Sequence, residues 1–131
     1  MPILGLTPRT VVRGGREGRA VELRIRTRDE SGWTVLAVDG EVDLSTAPTL
    51  RVRIEQLIHD GARRLVVSLE DVGFMDSSGL SALVAGYKRM QESEGELSLV
   101  CRDRSVLRVF TVTGLDRVFA IHPTVEEAIP S

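Results

Sequence analysis

Between Leu65 and Tyr87 the spacing of apolar residues changes period. Leu65-Val66-Val67-Ser68-Leu69 is a short apolar run with the pattern of a buried strand. Leu80, Leu83, Val84 and Tyr87 then recur at i, i+3, i+4 and i+7, the stripe of an amphipathic helix. A strand that hands over to a helix in this way points to a layered α/β arrangement. The handover itself is Phe74-Met75-Asp76-Ser77-Ser78-Gly79-Leu80, a small polar cluster where a strand ends and a helix begins. In an open α/β sheet, ligands and partners gather at that edge. The first helical N–H groups and the helix dipole favour a negatively charged group there, such as a phosphate.

The same handover recurs along the chain. Val21, Leu23 and Ile25 alternate with Glu22, Arg24 and Arg26, the period of a half-buried strand. Asp29-Glu30-Ser31-Gly32 is turn chemistry, and Trp33 to Val38 is a second strand, so the two are expected to pair as an antiparallel hairpin. Trp33 is expected at the edge of the core. Gly40 to Thr46 leads into a helix with the stripe Ala47, Leu50, Ile54, Leu57 and Ile58; Ser45 or Thr46 suits its N-cap, Pro48 its first turn and Gly61 its stop. After the central strand and its helix come a strand from Leu97 to Cys101, a helix capped by Asp103 or Ser105 and closed by Gly114, and a short strand from Val118 to Ile121. Thr124 and Glu127 have the spacing of a capping box for a last short helix. The order is β-β-α-β-α-β-α-β-α: an α/β fold with an N-terminal antiparallel hairpin and parallel βαβ units flanked by helices. Residues 1–20 differ in composition. Arg9, Arg13, Arg16, Arg19 and several glycines and prolines make them read as a flexible basic arm, leaving residues 21–131 as one domain.

Composition closes off several function classes. A chain of 131 residues, 42% hydrophobic and 27% charged, is long enough for one real core and suits a soluble globular protein. A net charge of -2 makes no demand for a nucleic-acid partner. The single cysteine, Cys101, lies in an apolar run and reads as a small buried hydrophobe; an intrachain disulfide is impossible. No apolar run approaches the roughly 20 residues of a membrane span, and arginines interrupt any N-terminal leader, so a cytoplasmic location and no membrane partner are expected.

Catalysis by the chain itself finds little support. No G-x-S-x-G elbow surrounds Ser77 or Ser78, and the two histidines, His59 and His122, are remote from them in sequence. One cysteine and two separated histidines make no metal site, no phosphate-binding glycine loop follows a strand, and no cofactor is expected. What remains is a pair of polar loops, Asp43-Leu44-Ser45-Thr46 and Asp76-Ser77-Ser78-Gly79. Helix capping alone explains aspartate and serine in both. Asp-Ser-Ser-Gly nevertheless offers more than a cap needs: a hydroxyl beside a carboxylate, a second hydroxyl, and a glycine that would let another protein's backbone come close. A phosphoryl group on such a hydroxyl would add about -1.5 to -2 charges beside Asp76.

Gly40-Glu41-Val42-Asp43, Phe74 to Leu80, and Thr113-Gly114-Leu115, in this order, resemble the anti-sigma factor antagonist family, the STAS domain of bacterial anti-anti-sigma factors. The resemblance runs from about residue 21 to the C-terminus. It implies the STAS fold, a small mixed sheet flanked by helices. It also implies a regulatory substrate that is not an enzyme. The unphosphorylated form would bind an anti-sigma factor serine kinase of the histidine-kinase-like ATPase type and so free a sigma factor. The kinase would phosphorylate Ser77 and lose its grip, and a PP2C-like serine phosphatase would reset the protein. The implied partner-contacting residues are Asp43, Ser45, Thr46, Asp76, Ser78, Gly79 and Leu80, with Ser45 and Thr46 the more loosely family-like. The basic arm is not part of the pattern. Two other uses of the same fold stay open: a scaffold subunit of a stress-signalling complex, and the cytoplasmic partner of a lipid-transport ABC system.

Overall fold

A computed structural model describes the backbone of residues 10–16 and 19–130, with side chains from Leu23 to Pro130. The elements are β1 (Thr10–Arg16), β2 (Arg19–Glu30), β3 (Trp33–Val42), α1 (Ala47–His59), β4 (Arg64–Met75), α2 (Ser77–Glu92), β5 (Glu96–Val100), α3 (Arg104–Thr113), a 3-10 turn (Leu115–Arg117), β6 (Ala120–His122) and α4 (Val125–Ala128). The six strands form one sheet in sequence order. β1–β2 and β2–β3 are antiparallel, and β3–β4, β4–β5 and β5–β6 are parallel. Each parallel step requires a crossover, which α1, α2 and α3 supply. This is the mixed α/β sheet expected from the spacing.

The hairpin between β2 and β3 closes through Ser31 and Gly32, both at positive φ (51° and 83°), between the paired residues Glu30 and Trp33. Two left-handed residues in a two-residue loop match the twist of the flanking strands. The hairpin is larger than the sequence suggests. Thr10–Arg16, expected to belong to a flexible arm, is instead β1, paired with β2 from Thr10↔Ile25 to Arg16↔Arg19. β2 would otherwise be an edge with unpaired backbone groups, and Thr10-Val11-Val12 is a β-branched run suited to cover it. The rest of that arm, residues 1–9 and 17–18, lies outside the described residues. β3 and β4 also run on past Val38 and Leu69, to Val42 and Met75, with register shifts between Ala37 and Asp39 and between Gly40 and Glu41. Conversely, the last strand starts at Ala120, because Val118 closes the 3-10 turn.

Alternation along the strands divides the apolar residues between two faces. Leu23, Ile25, Leu36, Val38, Leu65, Val67 and Leu99 form the main core with Leu50 and Ile54 of α1, Leu83 and Met90 of α2, and Phe110 of α3. Burying each such side chain stabilises the fold by about 1.5–3 kcal/mol. On the opposite face, Trp33, Val35, Val66 and Val100 pack with Val125, Ala128 and Ile129. That second layer explains why β4 reads as a continuous apolar run, whereas β2, with Arg24, Arg26 and Arg28 exposed, alternates. α1 and α2 approach closely at Gly86, where a Cβ would stand 2.8 Å from Ile54 Cγ2. Cys101 is buried, and burial pushes its thiol up to about 11.

Candidate functional site

β3, β4 and β5 run parallel, so their C-terminal ends lie on one edge of the sheet. Each is followed by an aspartate that closes the turn into the next helix in the same way. Asp43 Oδ1 accepts the backbone N–H groups of Ser45 (2.9 Å) and Thr46 (3.1 Å). Asp76 Oδ1 accepts those of Ser78 (2.8 Å) and Gly79 (3.3 Å). Asp103 Oδ1 accepts those of Ser105 (2.8 Å) and Val106 (3.2 Å). These bonds satisfy donors that a helix start leaves unpaired. In each loop the residue just after the aspartate faces solvent: Leu44 is 77% exposed, and Ser77 and Arg104 are exposed. The first two loops are joined, since the Asp76 N–H donates to the Val42 carbonyl at 3.2 Å.

The first loop is wired inward. Asp43 is only 4% exposed and Thr46 is fully buried. The Ser45 hydroxyl donates to Asp43 Oδ1 (2.8 Å), the Thr46 hydroxyl donates to the Glu41 carbonyl (2.8 Å), and the Asp43 N–H donates to Thr46 Oγ1 (3.0 Å). Burial pushes the Asp43 carboxyl up, but the Ser45 hydroxyl and the Thr46 and Ser45 N–H groups together outweigh it and hold the carboxyl below its ordinary range. Asp103, at the third loop, is also held low, first by the Ser105 hydroxyl and then by the Val106 N–H. The second loop is more open. Asp76 and Ser78 are half-buried, and Ser77 opens α2 with its side chain exposed.

This placement divides the residues expected to touch a partner. Ser45, Asp76, Ser77 and Ser78 reach the surface. Asp43 and Thr46 do not: they build the loop from inside, because a carboxylate with this many donors turns toward them. Gly79 is buried, and a Cβ there would stand 2.7 Å from Met75 Cγ and 2.8 Å from Val42 Cγ1. Its missing side chain serves the packing of α2 on the strands. Leu80 is likewise a core residue. The expected anion site at the start of α2 also changes character. The Ser78 and Gly79 N–H groups already bind the Asp76 carboxylate, and the Leu80 N–H binds the Asp76 carbonyl at 3.2 Å.

Spacing did not single out the apolar surface around Ser77. A shallow groove of about 420 Å³ runs along α2, lined by Ser77, Leu80, Ser81, Val84, Ala85, Lys88 and Leu115. Phe74, 42% exposed, pairs in register with Glu41 just before the two joined loops. The signal for Leu44 was present in the sequence as one large apolar residue inside an otherwise polar cap.

Neither histidine serves Ser77. His59 ends α1 in a cleft with Arg89, which lies twelve residues along α2 from Ser77, roughly 18 Å of helix. His122 is level with Ser68 through Val100, seven residues before Met75, roughly 20 Å of strand. Among the described residues, no group of three or more His, Cys, Asp or Glu side chains is placed to hold a metal ion, and no helix is long and apolar enough to cross a membrane.

The family model described as STAS domain matches residues 22–128. The chain is 30% identical over 106 residues to the anti-sigma-B factor antagonist of Staphylococcus aureus (strain NCTC 8325 / PS 47), covering 81% of this chain and 98% of that protein. It is 31% identical over 107 residues to the anti-sigma-F factor antagonist RsfB of Mycobacterium tuberculosis (strain CDC 1551 / Oshkosh), covering 82% of this chain and 87% of that one. A crystal structure of an anti-sigma factor antagonist from Mycobacterium paratuberculosis superposes with a TM-score of 0.75 at 34% identity, covering 81% of this chain and 90% of the other. β1 lies ahead of the matched stretch.

Proposed function

The chain belongs to the STAS domain family, and from that premise we propose that it is an anti-sigma factor antagonist whose unphosphorylated form binds an anti-sigma factor serine kinase and is released by phosphorylation of Ser77. Relatives that share about 30% of its residues over most of its length are named as such antagonists, not as catalysts. The observation that carries the reading is the exposed Ser77 hydroxyl at the start of α2, beside the half-buried Asp76 carboxylate and level with the joined loop that displays Leu44. The ATP and its metal ion belong to the kinase. The Ser77 hydroxyl oxygen attacks the γ-phosphorus of that ATP and forms the phosphoester bond. The bond from that phosphorus to the β,γ-bridging oxygen breaks, ADP leaves, and the hydroxyl proton passes to a base on the kinase. A PP2C-like phosphatase reverses the change by hydrolysis.

The wiring of the loop supports a surface mode of action for such a modification. The N–H groups of Ser78 and Gly79 hold the Asp76 carboxylate, so the phosphoryl group gains no vacant pair of amides inside the domain. It stays at the surface and adds about -1.5 to -2 charges next to Asp76. Release then comes from like charge and bulk at the interface, without refolding of the domain. Affinity capture from lysate of the source cell, using wild type and Ser77→Asp in parallel, tests this. Wild type is expected to recover an ATPase-type serine kinase, and Ser77→Asp about tenfold less of it, since roughly 1.4 kcal/mol of repulsion is a factor of ten. Equal recovery by both, or recovery of transporter or scaffold-complex subunits instead, overturns the reading.

A further inference from the structure

The three closing aspartates put three different side chains on one edge of the sheet, one after each of β3, β4 and β5: Leu44, Ser77 and Arg104. Resting on the reading above, we propose that the kinase that modifies Ser77 recognises this row, with Leu44 as its apolar anchor and Arg104 as a charged contact at the rim.

A lone exposed leucine on a protein surface needs no explanation. Leu44 differs in three ways. It is held at the tip of a loop whose neighbours face inward: Asp43 and Thr46 are buried, Asp43 Oδ1 accepts from the Ser45 hydroxyl and the Thr46 N–H, and the Thr46 hydroxyl donates to the Glu41 carbonyl. Little conformational freedom is left for a partner to freeze, which is the condition under which burial is converted to affinity. It is also tied to the acceptor loop through the Asp76 N–H and the Val42 carbonyl, so a protein that closes over the Ser77 hydroxyl passes over it. Finally, it does not stand alone: Phe74 is exposed just before the acceptor loop, and the groove on the other side of Ser77 is lined by Leu80, Val84 and Leu115.

Arg104 supplies the opposite flank. It is the first residue of α3, where the helix dipole opposes a cation, and it is exposed together with Arg102 and Arg108. A kinase with an apolar pocket and a nearby carboxylate would be complementary to this row. The loop aspartates fix the frame through backbone N–H groups, so the three displayed side chains are not what closes the loops. Leu44 is therefore the apolar contact by which the kinase holds this edge.

Steady-state phosphorylation of the full chain tests this, using the kinase recovered by wild-type capture, purified and supplied with ATP. Leu44→Ser is expected to raise KM about 10- to 100-fold, the loss of one buried leucine side chain, with kcat within about twofold. Leu44→Met is expected to restore most of the affinity. Arg104→Glu is expected to raise KM about 3- to 10-fold at low salt, with the difference shrinking at 0.5 M salt, as a rim charge should. Val112→Ser, at an exposed position late in α3, serves as the control and leaves KM unchanged. An unchanged KM for Leu44→Ser, or a loss of kcat alone, overturns the inference while the proposed function stands. Failure of wild type to be phosphorylated defeats the proposed function itself.

Discussion

Asp43-Leu44-Ser45-Thr46 and Asp76-Ser77-Ser78-Gly79 sit on neighbouring strand ends, and each is closed by an aspartate that accepts the N–H groups two and three residues on. The surfaces they present are opposite. In the first loop the carboxylate is buried, the Ser45 hydroxyl donates to that carboxylate and the Thr46 hydroxyl to the Glu41 carbonyl of β3, and the residue left outside is a leucine. In the second the carboxylate is half-buried, a packing glycine takes the place of the buried threonine, and the residue left outside is a serine. One closing device thus holds two displays. The aspartate fixes where the next side chain stands, and under the proposed function the leucine is the one that grips a partner and the serine the one that is modified.

The comparison predicts unequal costs. Asp43→Ala leaves the buried Thr46 N–H and the part-buried Ser45 N–H without their acceptor, and is expected to lower stability by about 3 kcal/mol. Asp76→Ala removes a half-exposed N-cap and is expected to cost about 1 kcal/mol. Thermal melts of the two variants side by side decide it, and equal losses would remove the distinction between an inward and an outward loop. A smaller effect concerns acid. The folded protein holds the Asp43 carboxyl below its ordinary range, so the unfolded chain takes up that proton first as the pH drops. The contribution of Asp43 is therefore full at neutral pH and is lost as pH falls below about 4. Asp43→Asn is expected to flatten that part of the stability profile, as read from urea titrations between pH 3 and pH 7. A profile as steep as wild type would place the acid sensitivity elsewhere.

Much of the fold was legible because its elements obey one period each. The α1 stripe, the α2 stripe, the caps Asp103 and Thr124, and the Ser31-Gly32 turn all lie where their spacing put them. β1 was hidden by its own composition: Gly14, Gly15 and the arginines disguise a β-branched start that pairs with β2. The far half of β4 was hidden by Glu70, Asp71 and Gly73, which break the apolar run while the backbone continues to pair with β3. At the site, the place of Ser77 at the start of α2 was legible from the strand-to-helix spacing. The inward turn of Asp43 was not, because a polar cap has the same composition whichever way its carboxylate faces. The packing role of Gly79 was hidden for a related reason. A glycine needed by a neighbour's side chain and one needed by a visiting backbone look the same in sequence.

In the proposed function Ser77 is an acceptor displayed by the fold and not a support of it. Incubating wild type and Ser77→Ala with the purified kinase and ATP, then mapping the phosphate by tandem mass spectrometry, tests this most directly. The account predicts one phosphate, on Ser77, in wild type and none in Ser77→Ala, whose stability stays within about 0.5 kcal/mol of wild type as expected for an exposed position. A phosphate on Ser78 or Ser81, or undiminished incorporation in Ser77→Ala, would contradict it.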